Sequence, residues 1–261
     1  MSYIAYKCNC FFYQIIFFLK KNSIFVHVDS KKEMRKVIYA LVIFFAISAI
    51  KAQEVEFSLG ADIVSSYVWR GVYQTSAAVQ PAMGLSVSGF TLSAWGSVPF
   101  TGEVKEVDFT ASYEIAGLLF AINNYWWAGE GDYKYFMYES GRTTHLFEGS
   151  VEYTLPVEKL PLTISWNTIF AGGDYPEDGC RAYSTYISAS YPIKIKTVDL
   201  GMSLGLNPWK SIYAEKFSVI HVGLKASKEL KITDSFSIPI SGEIIVNPRS
   251  EDIFFVFGIN L

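Results

Sequence analysis

Acidic residues on the polar face of an alternating sequence pattern are the groups best suited to chemistry in this chain. They are Glu106, Asp108, Glu114, Glu148, Glu152, Asp199 and Glu243. Glu106 and Asp108 share one face of a β-strand, because successive side chains point to opposite sides. Acids that line a narrow barrel create a field that favours cationic solutes. Alternatively, Arg70 pairs with such carboxylates and the pairs fill and rigidify the interior; the two roles are compatible.

Patterns for catalysis and metal binding are weaker. A serine hydrolase needs a histidine base and a third polar group. His145 falls on the apolar face near a loop, and no such arrangement surrounds His221 on the polar face. Residues 172–179 (GGDYPEDG) offer oxygen ligands but lack the spacing of an EF-hand loop. We predict no enzyme, no cofactor and no metal site, and an outer-membrane lipid-modifying enzyme is the weakest alternative.

The elements that must position these acids are β-strands, because apolar and polar residues alternate with a period of two. Val55, Phe57 and Leu59, for example, alternate with Glu56 and Ser58. We find twelve such segments after residue 53, in a 261-residue chain that is 51% hydrophobic and only 18% charged, a composition that excludes a disordered protein. The predicted fold is all-β: a transmembrane, up-and-down antiparallel β-barrel of about twelve strands.

Connection lengths support this topology. Short or compact connections are expected after every second strand, at residue 89 and at residues 116–117, 156–161, 192–196 and 228–235. Longer connections, notably residues 128–142 and 172–181, fall between them. Short turns at one end and long loops at the other are typical of an outer-membrane barrel whose N-terminus lies in the periplasm.

A soluble β-sandwich or lipocalin-like barrel also alternates, but its outer face is charged. Here the polar face is mostly Ser, Thr, Gly, Asn and acids, which suits a lumen. Aromatic residues near predicted strand ends suggest the girdle of a membrane barrel. They are Tyr67, Trp69, Tyr125, Trp126, Trp127, Tyr153, Tyr183 and Tyr191.

The N-terminal region has the pattern of a secretory signal. Arg35 and Lys36 follow Met34, residues 37–50 form an apolar run, and Ala52 precedes Gln53. This run is shorter than the about 20 residues of a helical span, which favours a signal peptide over an anchor. We predict an upstream segment at 1–33, assigned to the chain by a wrong start codon, a signal peptide at 34–52 and the barrel at 53–261.

Removal of the leader makes the chain distinctly acidic. Residues 1–52 contain eight of the 22 basic residues and two of the 25 acidic residues, so the net charge changes from −3 to 14 − 23 = −9. An acidic exported protein is a poor candidate for nucleic-acid binding.

Part of the chain resembles a known family. Residues 67–74 (YVWRGVYQ) are similar to the Tyr-x-aromatic-Arg-Gly-x-x-Gln element of the TorF-like porins, a family of uncharacterised bacterial outer-membrane proteins. Residues 78–80 (AVQ), 89–90 (GF), 94–97 (AWGS) and 106–109 (EVDF) follow in the same order as in that family. The resemblance covers about residues 60–128. It implies an outer-membrane location and a pore, and supplies no substrate.

These observations together predict a small passive channel in the bacterial outer membrane for small polar or cationic solutes. Expected partners are outer-membrane lipid and the assembly machinery, since the terminal Phe255-x-Phe257-x-Ile259-x-Leu261 stripe resembles the strand that machinery reads. The predicted pore-lining residues are Arg70, Trp95 and the seven acids named above. The alternative is a closed barrel that interacts through the loops at 128–142 and 172–181.

Overall fold

Twelve of fourteen strands close into one antiparallel barrel in the computed structural model, which describes residues 55–102, 104–128, 134–139, 142–157, 160–175 and 180–261. The strands are β1 (Glu56–Val64), β2 (Tyr67–Trp69), β3 (Val72–Thr75), β4 (Ala78–Val87), β5 (Phe90–Pro99), β6 (Lys105–Ile115), β7 (Leu118–Ala128), β8 (His145–Thr154), β9 (Thr163–Gly172), β10 (Thr185–Ile195), β11 (Val198–Asn207), β12 (Ser218–Lys231), β13 (Ser237–Asn247) and β14 (Asp252–Asn260). The predicted upstream segment and signal peptide lie outside the described residues.

Sequence neighbours pair around the barrel, and β1 closes it by pairing with both β4 and β14. The prediction of a twelve-stranded up-and-down barrel is therefore confirmed. The closing seam is short: β1 and β14 are in register at three pairs, from Asp62–Asn260 to Val64–Gly258, and the side-chain amide of Asn260 donates to Asp62 at 2.6 Å. Among the described residues, no helix has the length and apolarity needed to cross a membrane.

The apolar side chains lie on the outside of the barrel. Met202, Leu224, Ile244 and Phe255 are cross-strand neighbours on β11 to β14, and all four are exposed. Their sequence neighbours Ser203 and Glu243 point to the inner face. This sidedness follows from the period-two alternation, because each strand sends its apolar set outward and its polar set inward.

The two ends of the barrel differ in their connections. At the turn end, Ser88–Gly89 and Ala116–Gly117 form two-residue turns in which both residues have positive φ, from 52° to 80°. Such turns match the twist of the paired strands. At the loop end, longer segments join β7 to β8, β9 to β10 and β11 to β12.

Two predicted connections are wrong in their bounds. Residues 228–231 of the predicted connection 228–235 belong to β12, which ends at Lys231. Residues 192–195 belong to β10, and the turn is formed by residues 196–197. Proline is tolerated at position 192 because β9 pairs with β10 only as far as Ser190, so the missing N–H of Pro192 leaves no ladder bond unmade on that side.

The top of the first strand is also different from the prediction. Strand β1 ends at Val64, and residues 67–75 form a separate hairpin of β2 and β3, here called the inner hairpin. Its two-residue turn is Arg70–Gly71, with φ values of 53° and 77°. A Cβ atom on Gly71 would lie 1.9 Å from the carbonyl oxygen of Ile220 on β12, so only glycine allows this close approach.

Gly71→Ala should therefore prevent the inner hairpin from seating. Gly102→Ala is a matched control, since Gly102 has φ +76° but no atom of the described residues lies within 4 Å of a Cβ at this position. The strain of a positive φ is common to both, so we expect a loss of unfolding free energy of about 2–4 kcal/mol for Gly71→Ala against about 1–2 kcal/mol for the control. Urea unfolding of the refolded protein in lipid vesicles measures this. Equal losses would contradict the close contact.

Candidate functional site

The inner hairpin lies inside the barrel, because it contacts strands on opposite sides of the wall. Arg70 reaches Glu148 on β8, while the side-chain amide of Asn247 on β13 donates to the carbonyl oxygen of Gly71 at 3.0 Å. Only a segment within the lumen can make both contacts. The hairpin enters from the loop end and occupies that half of the interior.

An ion pair between Arg70 and Glu148 is the central interaction of the site. Arg70 Nη1 and Nη2 donate to the two carboxylate oxygens of Glu148 at 2.6 and 2.8 Å. The Glu148 side chain is 0% exposed and that of Arg70 is 9% exposed. Tyr125 also donates to Glu148 Oε1 at 2.9 Å, so the carboxylate has several donors. This bidentate geometry is the strong form of the Arg–carboxylate interaction.

Aromatic rings enclose the guanidinium. Its central carbon lies 4.4 Å from the ring centroid of Trp69 and 4.7 Å from that of Tyr186. The Tyr213 oxygen accepts a further hydrogen bond from Arg70 Nη1. Burial raises the pKa of Tyr213 well above its ordinary value, so the phenol stays neutral. The buried guanidinium thus contacts a carboxylate, a hydroxyl group and aromatic rings in the places that water would otherwise occupy.

The loop between β11 and β12 is built to hold Tyr213 in place. Asn207, fully buried at the end of β11, donates from its side-chain amide to the carbonyl oxygens of Trp209 and Lys216 at 2.6 and 2.9 Å. Ser211 in turn accepts from the Tyr213 backbone N–H. These bonds satisfy the polar backbone of a loop that packs against the inner hairpin.

A second acidic group lies on a neighbouring part of the wall, on β6, with only β7 between it and β8. Glu106 and Asp108 follow one another on the inner face of β6, and Trp95 on β5 is the cross-strand neighbour of Asp108. Tyr67 of the inner hairpin lies 5.4 Å from Trp95, ring centroid to ring centroid, and beside both carboxylates. Glu106 Oε2 and Asp108 Oδ1 are buried and have no hydrogen-bond partner among the residues that the structure describes.

The remaining predicted pore-lining residues do not join these clusters. Glu114 and Asp199 lie exposed near the turn end, and Glu152 is half-buried there. Asp199 faces Lys194 at 3.6 Å. Glu243 lies at mid-height opposite Lys225 in the β12–β13 register. The inner wall is therefore divided into a filled loop-end half and an open turn-end half.

The sequence did not identify the aromatic residues that surround Arg70. Tyr67, Trp69, Tyr125 and Trp127 were predicted to form an outer girdle, but their rings pack against one another or against Trp95 inside the barrel. The period-two alternation separates the two faces of a strand. It does not show which face points into the barrel where the strand ends. The sequence did contain one sign of the inner hairpin: the dipeptide Arg70–Gly71, which includes a glycine, lies between two β-prone segments, as the turn of a hairpin does.

His145 is buried on the outer side of the wall. Its ring nitrogens hydrogen-bond with the side chain of Asn124 and, at 2.6 Å, with the carbonyl oxygen of Tyr135. Tyr138 stacks on the ring at 4.6 Å. His145 thus holds residues 134–139 against the wall, while residues 129–133, 140–141 and 176–179 of the two long loops lie outside the described residues.

One serine–histidine pair faces the lumen. Ser203 Oγ lies 2.8 Å from His221 Nε2, and among the described residues none hydrogen-bonds with the buried His221 Nδ1. In a catalytic triad an acid binds that second nitrogen and orients the ring. The pair therefore has a nucleophile and a base in contact but lacks the orienting group.

No protein-family model matches the sequence, and no curated protein matches it.

Glu148→Gln should strongly destabilise the barrel, because it leaves the Arg70 charge buried without a counter-ion. Removal of one partner of a buried pair costs about 3–5 kcal/mol. Arg70→Met combined with Glu148→Leu should recover much of this loss, since no charge is then buried. Lys231→Met, which breaks an exposed ion pair with Asp234, is the control and should change little. Urea unfolding in vesicles measures all three, and a Glu148→Gln variant as stable as the control would refute the role of the pair.

Proposed function

We propose that this protein is a bacterial outer-membrane β-barrel that forms a small channel for polar or cationic solutes, restricted at the loop end by the inner hairpin. The observation that carries the proposal is the sidedness of the barrel: an apolar outer face surrounds a polar, acidic interior. The proposal includes no catalytic activity and no bound cofactor.

Lipid as the outer solvent explains the exposed apolar side chains. The barrel strands have 9 to 14 residues, and a tilted strand of about 9–11 residues spans a bilayer. A closed barrel also satisfies every backbone group within the hydrocarbon region, where no water is present. The predicted signal peptide and terminal aromatic stripe fit export and delivery to the assembly machinery of the outer membrane.

The acidic interior supports passage of cations. Glu114 and Glu152 give the open turn-end half negative charge, and negative charge on the wall raises the local concentration of cations. Asp199 is paired with Lys194 and adds less to this field. Arg70 is neutralised by Glu148, so it does not offset this field.

The resemblance to TorF-like porins agrees with this assignment, and we propose membership of that family. Its Arg-Gly element corresponds to Arg70 and Gly71, which here form the turn of the inner hairpin. We therefore propose that this element sets the conducting state of the lumen.

A second candidate is a closed barrel that does not conduct and acts through its loops. The specific observation in its favour is the inner hairpin itself, which is tied to β8 by Arg70 and to β13 by Asn247. Conductance distinguishes the two candidates.

A charge placed on the outer face tests the membrane location. Leu224→Arg, at the middle of β12, should lower the unfolding free energy in vesicles by about 2–4 kcal/mol, because Arg at the bilayer midplane is costly. Ser227→Arg on the inner face of the same strand is the control and should have a much smaller effect. Equal effects, or a wild-type protein that stays in solution without detergent, would contradict the membrane assignment.

Single-channel recording in a planar bilayer tests conduction. We expect small or infrequent current steps for the wild type and larger steps for Arg70→Ala, because the hairpin loses its anchor on Glu148. Lys231→Ala at the turn end controls for loss of a positive charge. Current steps in neither the wild type nor Arg70→Ala would favour the closed barrel.

A further inference from the structure

A cavity of about 460 Å³ lies at the loop end, between the inner hairpin and the barrel wall. The rings of Trp69, Trp127 and Tyr213 and the side chain of Glu106 line it. Exposed apolar side chains form its rim: Val72, Val104 and Ile212. The volume falls within the range of about 300–1,000 Å³ typical of small-molecule sites, which are mostly apolar with a few placed polar groups.

Two buried carboxyl groups lie at the floor of this cavity. Glu106 is only 2% exposed, and its Oε2 has no hydrogen-bond partner in the described part of the chain. Asp108, two residues further along β6, also has an oxygen without a partner there. Arg70 cannot neutralise them, because its guanidinium is held by Glu148. A buried carboxyl oxygen without a hydrogen-bond partner is costly, and a bound ammonium group would supply the donor that it lacks.

The chemistry of the walls selects the kind of cation. Calcium takes six to eight oxygen ligands, and among the described residues no group of three or more His, Cys, Asp or Glu side chains could hold a metal ion. Aromatic faces instead attract ammonium groups, and they bury an apolar body at the same time.

We infer that this cavity binds an organic ammonium ion with an apolar or aromatic body. The ammonium group contacts Glu106, and the body packs against Trp69, Trp127 and Tyr213. This inference rests on the proposed function for its biological role, since it names the class of cation that the loop end admits. The binding step itself does not require that the lumen conducts.

The test is isothermal titration calorimetry of the mature protein, folded in detergent, with 2-phenylethylammonium as the probe. We expect saturable binding at one site. Glu106→Gln should weaken it at least about tenfold, and the neutral analogue 2-phenylethanol should bind the wild type similarly weakly, because each lacks the charged hydrogen bond. Glu215→Gln, an exposed acid at the same end, controls for general attraction of cations and should leave the affinity within about twofold.

Ile212→Trp provides a second variant, because it narrows the rim without altering a buried charge; it should also weaken binding. Heat-modifiable gel mobility shows that each variant is folded.

Absence of saturable binding by the wild type overturns the inference. Equal affinity for 2-phenylethanol also overturns it. Full affinity in Glu106→Gln overturns it as well, because Glu106 would then contribute no charge to binding, as when Glu106 and Asp108 share a proton. If the wild type binds 2-phenylethylammonium but Arg70→Ala shows no current steps, the proposed channel alone is overturned. If current steps are seen but the wild type does not bind the probe, the proposed binding site alone is overturned.

Discussion

The buried ion pair of Arg70 and Glu148 is the interaction on which the interior of this barrel depends. A guanidinium does not lose its charge in a protein, so it can enter the lumen only with a carboxylate and π faces in place of water. The backbone must then deliver Arg70 to β8, which requires the tight turn at Gly71 and its close approach to Ile220. Burial of the Arg70 charge thus accounts for the inner hairpin, its tight turn and the aromatic rings around the guanidinium.

The second constraint is the apolar outer face, which leaves the lumen as the place where charged groups can be accommodated. Alternation along each strand is sufficient to separate the two sets of side chains. Departure of the chain from the wall after Ser65 has a cost, however, because the register between β1 and β14 stops at Val64–Gly258 and only the bonds between Ser65 and Phe257 continue the seam beyond it. The barrel thus exchanges wall contacts at the seam for contacts inside the lumen.

Much of this architecture was predictable from the sequence, and the reason is the strict period of two. Strand number, antiparallel order and sidedness depend only on that period and on connection lengths. The inner hairpin was not predicted, because residues 67–75 are as β-prone as β1 and continue its pattern. Whether Trp69 or Tyr125 points inward depends on where the chain leaves the wall, and neither composition nor spacing encodes that choice. The alternation placed the acids of the site on the inner face. It did not show that Glu148 is paired with Arg70 while Glu106 is not, because that depends on how far the Arg70 side chain reaches.

That difference has a consequence for the loop end. Arg70 contacts one of the two acidic groups in this half of the lumen, so the seated hairpin pairs with Glu148, while Glu106 and Asp108 each keep an oxygen without a partner among the described residues. The same hairpin carries Tyr67 and Trp69 to the carboxylates and the cavity wall. The segment that fills the lumen therefore also completes a cavity lined by carboxyl and aromatic side chains at its mouth. Restriction of the lumen and attraction of organic cations are thus two results of one folding event, because both require Arg70 to be bound to Glu148.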